Sequence, residues 1–208
     1  MYKLYYAPGA CSMAIHVALN ECSQPVQLEK IDIRAPRPPE FLKINPRGQV
    51  PVLVEDGAVL REGAAILIHV LEKHQNPLLP KSGPARDAAL EWLMFCNATL
   101  HPAYSRCFFL MRNAKDEAAK EHLLGVAMAM VDKLWAEVED RLGAHAFLAG
   151  DEITIADILM TVIANWGDHL PARPAIGPHT RKLLQTVIAR PAYKKALETE
   201  KVEYKAAA

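Results

Sequence analysis

Over the first third of the chain, apolar and polar residues form short runs that predict strands and helices in turn. Alternation with period two indicates strands, and recurrence every three or four residues indicates helices. The predicted strands are Tyr2–Tyr6 and Val26–Ile33, and the predicted helices are Ser12–Glu21 and Glu62–Lys73. Val50–Leu60 carries two β-branched runs about Asp56-Gly57, which is the pattern of a hairpin. The order β-α-β, an irregular stretch and β-β-α predicts a small α/β domain.

A proline-rich segment separates this part from the rest. The letters "NPLLPKSGP" at residues 76–84 include three prolines, a glycine and a serine, which is typical of a linker. No convincing strand pattern follows. Amphipathic stretches predict helices at Ala85–Leu110, Asp116–Leu142, Thr154–Asp168, Pro178–Ala189 and Pro191–Glu200. The sequence therefore predicts an α/β domain over residues 1–75, a linker over 76–84 and an all-helical domain over 85–208.

The charge balance, the apolar runs and the cysteines of the sequence indicate which kinds of partner to expect. Lys and Arg total 24, as do Asp and Glu, so no overall charge attracts nucleic acid or an anionic membrane. No apolar run approaches the roughly 20 residues of a membrane span, and the first residues, "MYKLYYAPGA", resemble a strand and turn rather than a signal peptide. The widely spaced cysteines form no CxxC pair, so we expect free thiols, no zinc site and a cytoplasmic location; they are Cys11, Cys22, Cys96 and Cys107.

Two features near the predicted helix starts have both chemical and structural interpretations. Helix N–H groups beside Cys11 would lower the pKa of its thiol, but a small buried residue at a turn fits the local sequence equally well. Ser12 has a simple interpretation as a helix N-cap. Glu62 and Gly63 begin the next helix, where N–H groups suit a carboxylate and Glu62 could accept an ammonium. Alternatively, Glu62 only complements the helix dipole.

Two further motifs concern the backbone. Pro51 enters a predicted strand, which indicates a sheet edge or a cis Val50-Pro51 bond. A cis bond would turn the N–H and C=O of Val50 outward to pair with an extended peptide. Thr154 and Asp157 stand at N-cap and N3 of a predicted helix, and we assign Asp157 to capping rather than to catalysis.

In order along the chain, these motifs resemble glutathione S-transferases, and among them the bacterial beta class. The resemblance covers nearly the whole sequence through "YYAPGACS", "INPRGQVPVL", "EGAAI", "EWLMF…LHPAYS" and "FLAGDEITIADILM". It implies a thioredoxin-like N-terminal domain, an all-α C-terminal domain, a homodimer, glutathione as co-substrate, no metal and a role in detoxification.

The resemblance also implies roles for individual residues. Cys11 would face the sulfur of glutathione, with Ser12 and Tyr6 as reserve hydroxyl groups. Val50, next to the cis-proline Pro51, would pair with the cysteinyl amide. Residues implied to bind glutathione or the electrophile are Arg37, Gln49, Glu62, Gly63, His101, Tyr104, Phe108 and Trp166. Of these, His101 would approach the ligand from the second domain and take part in catalysis.

The chain departs from the family pattern at several polar positions. Gly63 stands where a serine is frequent, and Pro36 and Pro102 stand where lysines are common. Met94 replaces an asparagine that reaches across the dimer in some members. Arg37 is the expected substitute for the lysine missing at Pro36. We therefore expect a glutathione site with fewer polar anchors.

The leading hypothesis is conjugation of the glutathione thiolate to small hydrophobic electrophiles. A variant uses Cys11 itself for glutathione-dependent thiol-disulfide chemistry. The alternative hypothesis is a non-enzymatic function, in which the protein is a non-catalytic relative that serves as a protein-binding module. This alternative stays open because a fold alone does not determine function.

Overall fold

The protein divides into two compact units in a computed structural model that describes residues 1–207. Unit 1 comprises Met1–Lys81 with Ile188–Glu203, and unit 2 comprises Ser82–Val187 with the residues from Tyr204 onward. The break between Lys81 and Ser82 falls in the proline-rich segment. Ile188–Glu203 lies in unit 1, whereas the sequence-based division placed residues 85–208 in one helical domain.

The sheet of unit 1 has four strands in the order β2-β1-β3-β4. They are β1 (Tyr2–Tyr6), β2 (Val26–Lys30), β3 (Val52–Glu55) and β4 (Ala58–Arg61). β1 pairs parallel to β2 and antiparallel to β3, and β3 pairs antiparallel to β4. Asp56 and Gly57 turn the predicted hairpin with φ of 47° and 87°, the positive values that a tight hairpin turn requires.

The helices follow the predicted pattern with two exceptions. They are α1 (Ser12–Glu21), α2 (Pro39–Ile44), α3 (Gly63–Lys73), α4 (Gly83–Met94), α5 (His101–Asn113), α6 (Glu117–Ala144), α7 (Ile155–Ala164), α8 (Pro178–Ile188) and α9 (Pro191–Glu200). A 3₁₀ segment, Asn165–His169, follows α7. α2 lies in the stretch predicted to be irregular, because six residues among prolines give too little periodicity.

The second exception is the predicted helix Ala85–Leu110, which is interrupted. A π-helical segment, Phe95–Leu100, joins α4 to α5. Pro102 explains the change, since proline has no N–H for the helical ladder and its ring crowds the carbonyl four residues earlier. A widened π turn relieves that conflict without ending the helix.

Asp157 organises the start of α7. Its buried carboxylate accepts hydrogen bonds from the backbone N–H groups of Leu148 and Thr154, at 2.9 and 2.7 Å, and from the Thr154 hydroxyl at 3.1 Å. Burial raises the pKa of Asp157 to about 6, although these donors act in the opposite direction. The predicted capping role of Asp157 is confirmed.

The described residues contain neither a membrane-spanning helix nor a group of side chains that could hold a metal ion. Within residues 1–207, no helix combines the length and apolar character needed to cross a membrane. In the same range, no three His, Cys, Asp or Glu side chains are grouped so as to hold a metal ion.

Candidate functional site

Cys11 lies at the N-cap position of α1, with its side chain half-buried. Its thiol donates toward the carbonyl oxygen of Val50, with 3.8 Å between sulfur and oxygen. Burial raises the pKa of the Cys11 thiol to about 11, and the charge of Glu62 adds to this effect. The N–H groups of Ser12 and of Cys11 itself act in the opposite direction but are outweighed. Of the two interpretations of Cys11, the raised pKa favours the small, partly buried residue at a turn, and its thiol keeps its proton near neutral pH.

The segment before β3 holds the backbone of Val50 in place. The Val50–Pro51 peptide bond is cis, with Val50 half-buried and Pro51 buried. Buried Asn45 donates from its side-chain amide to the carbonyl of Gln49 at 2.7 Å, while the Gln49 side chain is exposed. Asn45 thus fixes the backbone that leads to the residue contacted by Cys11.

Glu62 adopts an unusual backbone conformation at the start of α3. Its φ is 72°, in the left-handed region that non-glycine residues rarely occupy, and Gly63 is the first helical residue. Its carboxylate lies 2.8 Å from the guanidinium of Arg47, measured from Oε1 to Nη1. Strain at an exposed acid is typical of a functional position. Sequence reasoning missed Arg47, because nothing in "NPRG" indicates that its partner stands in the next helix.

Arg37 and Ser12, two of the predicted site residues, form hydrogen bonds with the backbone of unit 1. Arg37 donates to the backbone carbonyls of Gly48, Asp32 and Ile33 at 2.8, 2.9 and 3.1 Å, which pins its guanidinium to its own loop. Ser12 is the first residue of α1 rather than its cap. Its buried hydroxyl accepts from the N–H of Ala7 and donates to the Ala7 carbonyl, both at 3.2 Å.

Tyr6, the other reserve hydroxyl, ends β1 and is buried. Burial raises the pKa of its phenol, and the charge of Glu200 adds to that shift. Tyr6 is therefore a neutral phenol near neutral pH.

In unit 2, four candidate residues meet in one aromatic cluster. The imidazole of His101 lies edge-on to Trp166 with 4.8 Å between ring centres, and Tyr104 lies edge-on to the same indole at 5.9 Å. Phe108 completes the cluster at 6.5 Å from Trp166. Trp135 donates its indole N–H to the Tyr104 hydroxyl at 2.9 Å, which fixes that ring. Burial lowers the pKa of His101, so its imidazole is neutral near pH 7.

Each unit therefore offers distinct chemistry. Unit 1 has a thiol proton on Cys11, the backbone of Val50 beside a cis peptide bond and paired opposite charges on Arg47 and Glu62. This combination suits a ligand that carries a sulfur, a peptide backbone and charged ends. The cluster in unit 2 suits an apolar or aromatic molecule, with one neutral imidazole to donate or accept a hydrogen bond.

Comparison with known proteins gives a family for both parts of the chain. Residues 9–73 match the family model "Glutathione S-transferase, N-terminal domain", and residues 92–191 match "Glutathione S-transferase, C-terminal domain". Glutathione S-transferase GST-4.5 of Xanthomonas campestris pv. campestris is 34% identical over 166 residues, which are 79% of this chain and 81% of that protein.

Solved structures agree over nearly the whole chain. The glutathione S-transferase from Xylella fastidiosa has a TM-score of 0.90 at 27% identity and covers 98% of this chain and 100% of its own. A sphingomonad glutathione S-transferase complexed with glutathione has a TM-score of 0.84 at 29% identity and covers 97% of this chain and 100% of its own. The expected fold class, a thioredoxin-like N-terminal domain with a helical C-terminal domain, is confirmed. The chain belongs to the glutathione S-transferase family.

Proposed function

We propose that this protein is a beta-class-like transferase that conjugates the thiolate of glutathione to small hydrophobic electrophiles. The observation that carries the proposal is the contact between the Cys11 thiol and the Val50 carbonyl at 3.8 Å. This contact places the Cys11 thiol, which could donate a hydrogen bond to the sulfur of glutathione, next to the backbone of Val50. The Val50 backbone could in turn pair with the cysteinyl amide of glutathione. The family supports the proposal, and so does the glutathione bound in the sphingomonad relative.

The charge state of Cys11 favours conjugation. A thiol with a pKa of about 11 keeps its proton near pH 7 and can donate a hydrogen bond to the glutathione sulfur. Such a donor stabilises the thiolate of glutathione, which then attacks the electrophilic carbon while the leaving group departs with its electron pair. In this role Cys11 assists the nucleophile and is not itself the nucleophile.

Thiol-disulfide activity is the second candidate, because Cys11 is a free and half-buried cysteine. Its thiolate would attack a disulfide of glutathione, form a mixed disulfide and release one glutathione thiolate. The raised pKa makes the attacking thiolate scarce at neutral pH, so we place this activity second.

Binding of the rest of glutathione is assigned within unit 1. We propose that Val50 pairs its backbone with the cysteinyl amide, beside Pro51. Glu62 and the N–H of Gly63 would hold the γ-glutamyl end, and the exposed Gln49 is a further candidate contact. We assign no contact with glutathione to Arg37, because its guanidinium donates to backbone carbonyls of its own loop.

The electrophile is assigned to the aromatic cluster of unit 2. His101, Tyr104, Phe108 and Trp166 would contact an apolar substrate. Neutral His101 would orient the substrate or help to stabilise the leaving group, which agrees with its lowered pKa.

A homodimer is proposed from the resemblance and from exposed apolar side chains on unit 2. Leu123, Val126 and Met130 project from α6 at helical spacing and are 47%, 60% and 47% exposed, and Phe109 of α5 is 62% exposed. A second copy of the chain is the partner that would cover them. We also propose a cytoplasmic bacterial location and a role in detoxification, supported by the family and the four free cysteines.

The test uses the intact protein. It should be retained on immobilised glutathione, be released by free glutathione and conjugate glutathione to an activated aryl halide. Failure to bind glutathione at millimolar concentration would reject the proposal in favour of the protein-binding module. Binding without conjugation of any electrophile in a panel would reject the enzymatic part alone.

A further inference from the structure

Two residues near the end of the chain form hydrogen bonds with the part of unit 2 that leads into Trp166. The Tyr204 hydroxyl donates to the backbone carbonyl of Thr161, in α7, at 2.9 Å. The next residue, Lys205, donates its backbone N–H to the side-chain oxygen of Asn165 at 2.8 Å. Asn165 is the first residue of the 3₁₀ segment and comes directly before Trp166. The end of the chain is therefore bonded to the backbone and side chain that precede this indole.

A further contact lies on the other side of Trp166 in sequence. The ammonium of Lys205 is 3.1 Å from the carboxylate of Asp168, and the two side chains are 41% and 24% exposed. An ion pair with this exposure contributes little to stability, because water solvates both charges. We therefore assign the restraint chiefly to the two hydrogen bonds. Tyr204 and Lys205 are called the C-terminal clasp below.

The 3₁₀ segment borders a cavity, which increases the importance of these bonds. The cavity has a volume of about 280 Å³, and its lining includes Ala164, Gly167 and Asp168 from the chain around Trp166, and Lys205 from the clasp. Atoms that line a cavity lack the van der Waals contacts that a packed neighbour would supply on that side. The hydrogen bonds from the clasp thus contribute a larger share of what fixes the 3₁₀ segment.

The position of the 3₁₀ segment matters because it carries one wall of the aromatic cluster. Trp166 faces rings from α5, including His101 at 4.8 Å between ring centres, so a shift of the segment changes the space between the rings. We propose that Tyr204 and Asn165 are positioning residues that hold Trp166 in place for the electrophile. The inference rests on the proposed function, in which the aromatic cluster receives that substrate.

A positioning role differs from a purely structural one in which substrate it affects. Loss of a structural contact lowers stability and changes the KM values of both substrates in parallel. Loss of a contact that positions Trp166 weakens binding of the electrophile, whereas glutathione, assigned to unit 1, binds as before. The ratio of the two KM values therefore distinguishes the two roles.

The first measurement is steady-state kinetics of the full-length protein and its Tyr204→Phe/Asn165→Ala variant. The KM for an activated aryl halide should rise by about threefold to tenfold, as expected for lost hydrogen bonds, and the KM for glutathione should not change. Asn165→Asp keeps the acceptor oxygen for Lys205, so its KM should stay near the wild-type value. Gln185→Ala is the matched control, because Gln185 also bonds to the end of the chain, at the Ala207 carbonyl.

The second measurement observes Trp166 directly and does not depend on activity. The sequence has three tryptophans, Trp92, Trp135 and Trp166, so protein labelled with 5-fluorotryptophan should give three ¹⁹F resonances. A Trp166→Phe variant assigns the resonance of Trp166. In Tyr204→Phe/Asn165→Ala this resonance should shift or broaden, whereas that of Trp92 should stay in place.

The outcomes separate the inference from the function on which it rests. An unmoved Trp166 resonance, or a parallel rise in both KM values, would overturn the positioning role while leaving the transferase proposal intact. A wild-type protein that conjugates no electrophile would overturn the proposed function, and the ¹⁹F spectra would still decide whether the clasp positions Trp166. If the double variant does not fold, Tyr204→Phe alone provides the same comparisons with smaller effects.

Discussion

His16 and Glu200 form a buried pair across 184 residues of sequence, with 2.9 Å between Nδ1 and Oε1. The other carboxylate oxygen of Glu200 accepts the N–H of Gly9 at 3.0 Å. α9 thereby binds both α1 and the turn that precedes Cys11. Arg190, the residue that precedes α9, adds a two-point ion pair with Glu21 of α1.

Glu200→Ala should strongly destabilise unit 1. It removes the buried acceptor of the His16 imidazole, and a buried polar group left without its hydrogen-bond partner costs about 1–3 kcal/mol. Urea unfolding should show the loss as a lower midpoint. Glu198→Ala is the control, since Glu198 is an exposed acid on the same helix. Equal stability of the two variants would contradict this view of the pair.

Asp157→Ala should destabilise the fold without changing the glutathione affinity of the molecules that remain folded. Loss of a capping carboxylate costs about 0.5–2 kcal/mol, and more where the N–H groups left behind are buried. Thermal unfolding and calorimetry on the same sample would measure both effects. A variant with the wild-type melting temperature but no activity would show that Asp157 has a catalytic role.

The raised pKa of Asp157 also predicts a dependence of stability on pH. Its folded pKa is about 6, above its ordinary value of 3.8, so the folded state binds the proton more tightly than the unfolded state. The contribution of this group is therefore most favourable below about pH 4 and is lost as the pH rises through 6. Asp157→Asn should flatten that part of the stability curve. An identical curve in the variant would exclude Asp157 as the source.

Alkylation of Cys11 should be slow at pH 7 and accelerate with pH. With a pKa of about 11, the thiolate fraction grows about tenfold per pH unit through the range from 7 to 10. Iodoacetamide labelling followed by peptide mass spectrometry would give the rate at Cys11, and bound glutathione should protect it. A rate that levels off below pH 8 would indicate a thiolate already present at neutral pH.

Cys11→Ala should separate the two proposed activities. Mixed-disulfide formation should disappear, because its nucleophile is gone, whereas conjugation should fall only modestly because glutathione supplies that nucleophile. Both activities would be assayed on one preparation, with Cys22→Ala as the matched control. Complete loss of conjugation with intact glutathione binding would show that the thiol is essential to activate glutathione.

Glu62→Gln should weaken glutathione binding while leaving the fold stable. Loss of a charged hydrogen-bond partner costs about 1.5–3 kcal/mol, which titration calorimetry resolves easily. The exposed Glu40, changed to Gln, is the control. Unchanged affinity would remove Glu62 from the site.

Local pattern predicted most of the elements, because period-two and helical spacing are properties of neighbouring residues. It failed where contacts between residues distant in sequence determine which unit an element belongs to. α9 belongs to unit 1 through partners such as His16, which no local window contains. The sequence could not decide the pKa of Cys11, because the helix N–H groups are visible in the sequence whereas burial depends on the surrounding fold.

The candidate site was predicted in the same uneven way. The resemblance implied that Cys11 and Val50 contact the same part of glutathione, but it did not predict the contact between these two residues. Arg37 and Arg47 were distinguished only by where their guanidinium groups point, since both are arginines in proline-containing loops. Direction of a long side chain depends on acceptors that the fold assembles.

The π-helical segment before α5 sets which residues that helix presents. A π turn accommodates one more residue than an α turn, so the helix after it is rotated by about 100° relative to an uninterrupted continuation of α4. His101, Tyr104 and Phe108 share a face of α5 and meet Trp166 in that rotated setting. The residues of α5 supply the rings of the aromatic cluster. The rotation that the widened turn gives to α5 determines which of these residues contact Trp166.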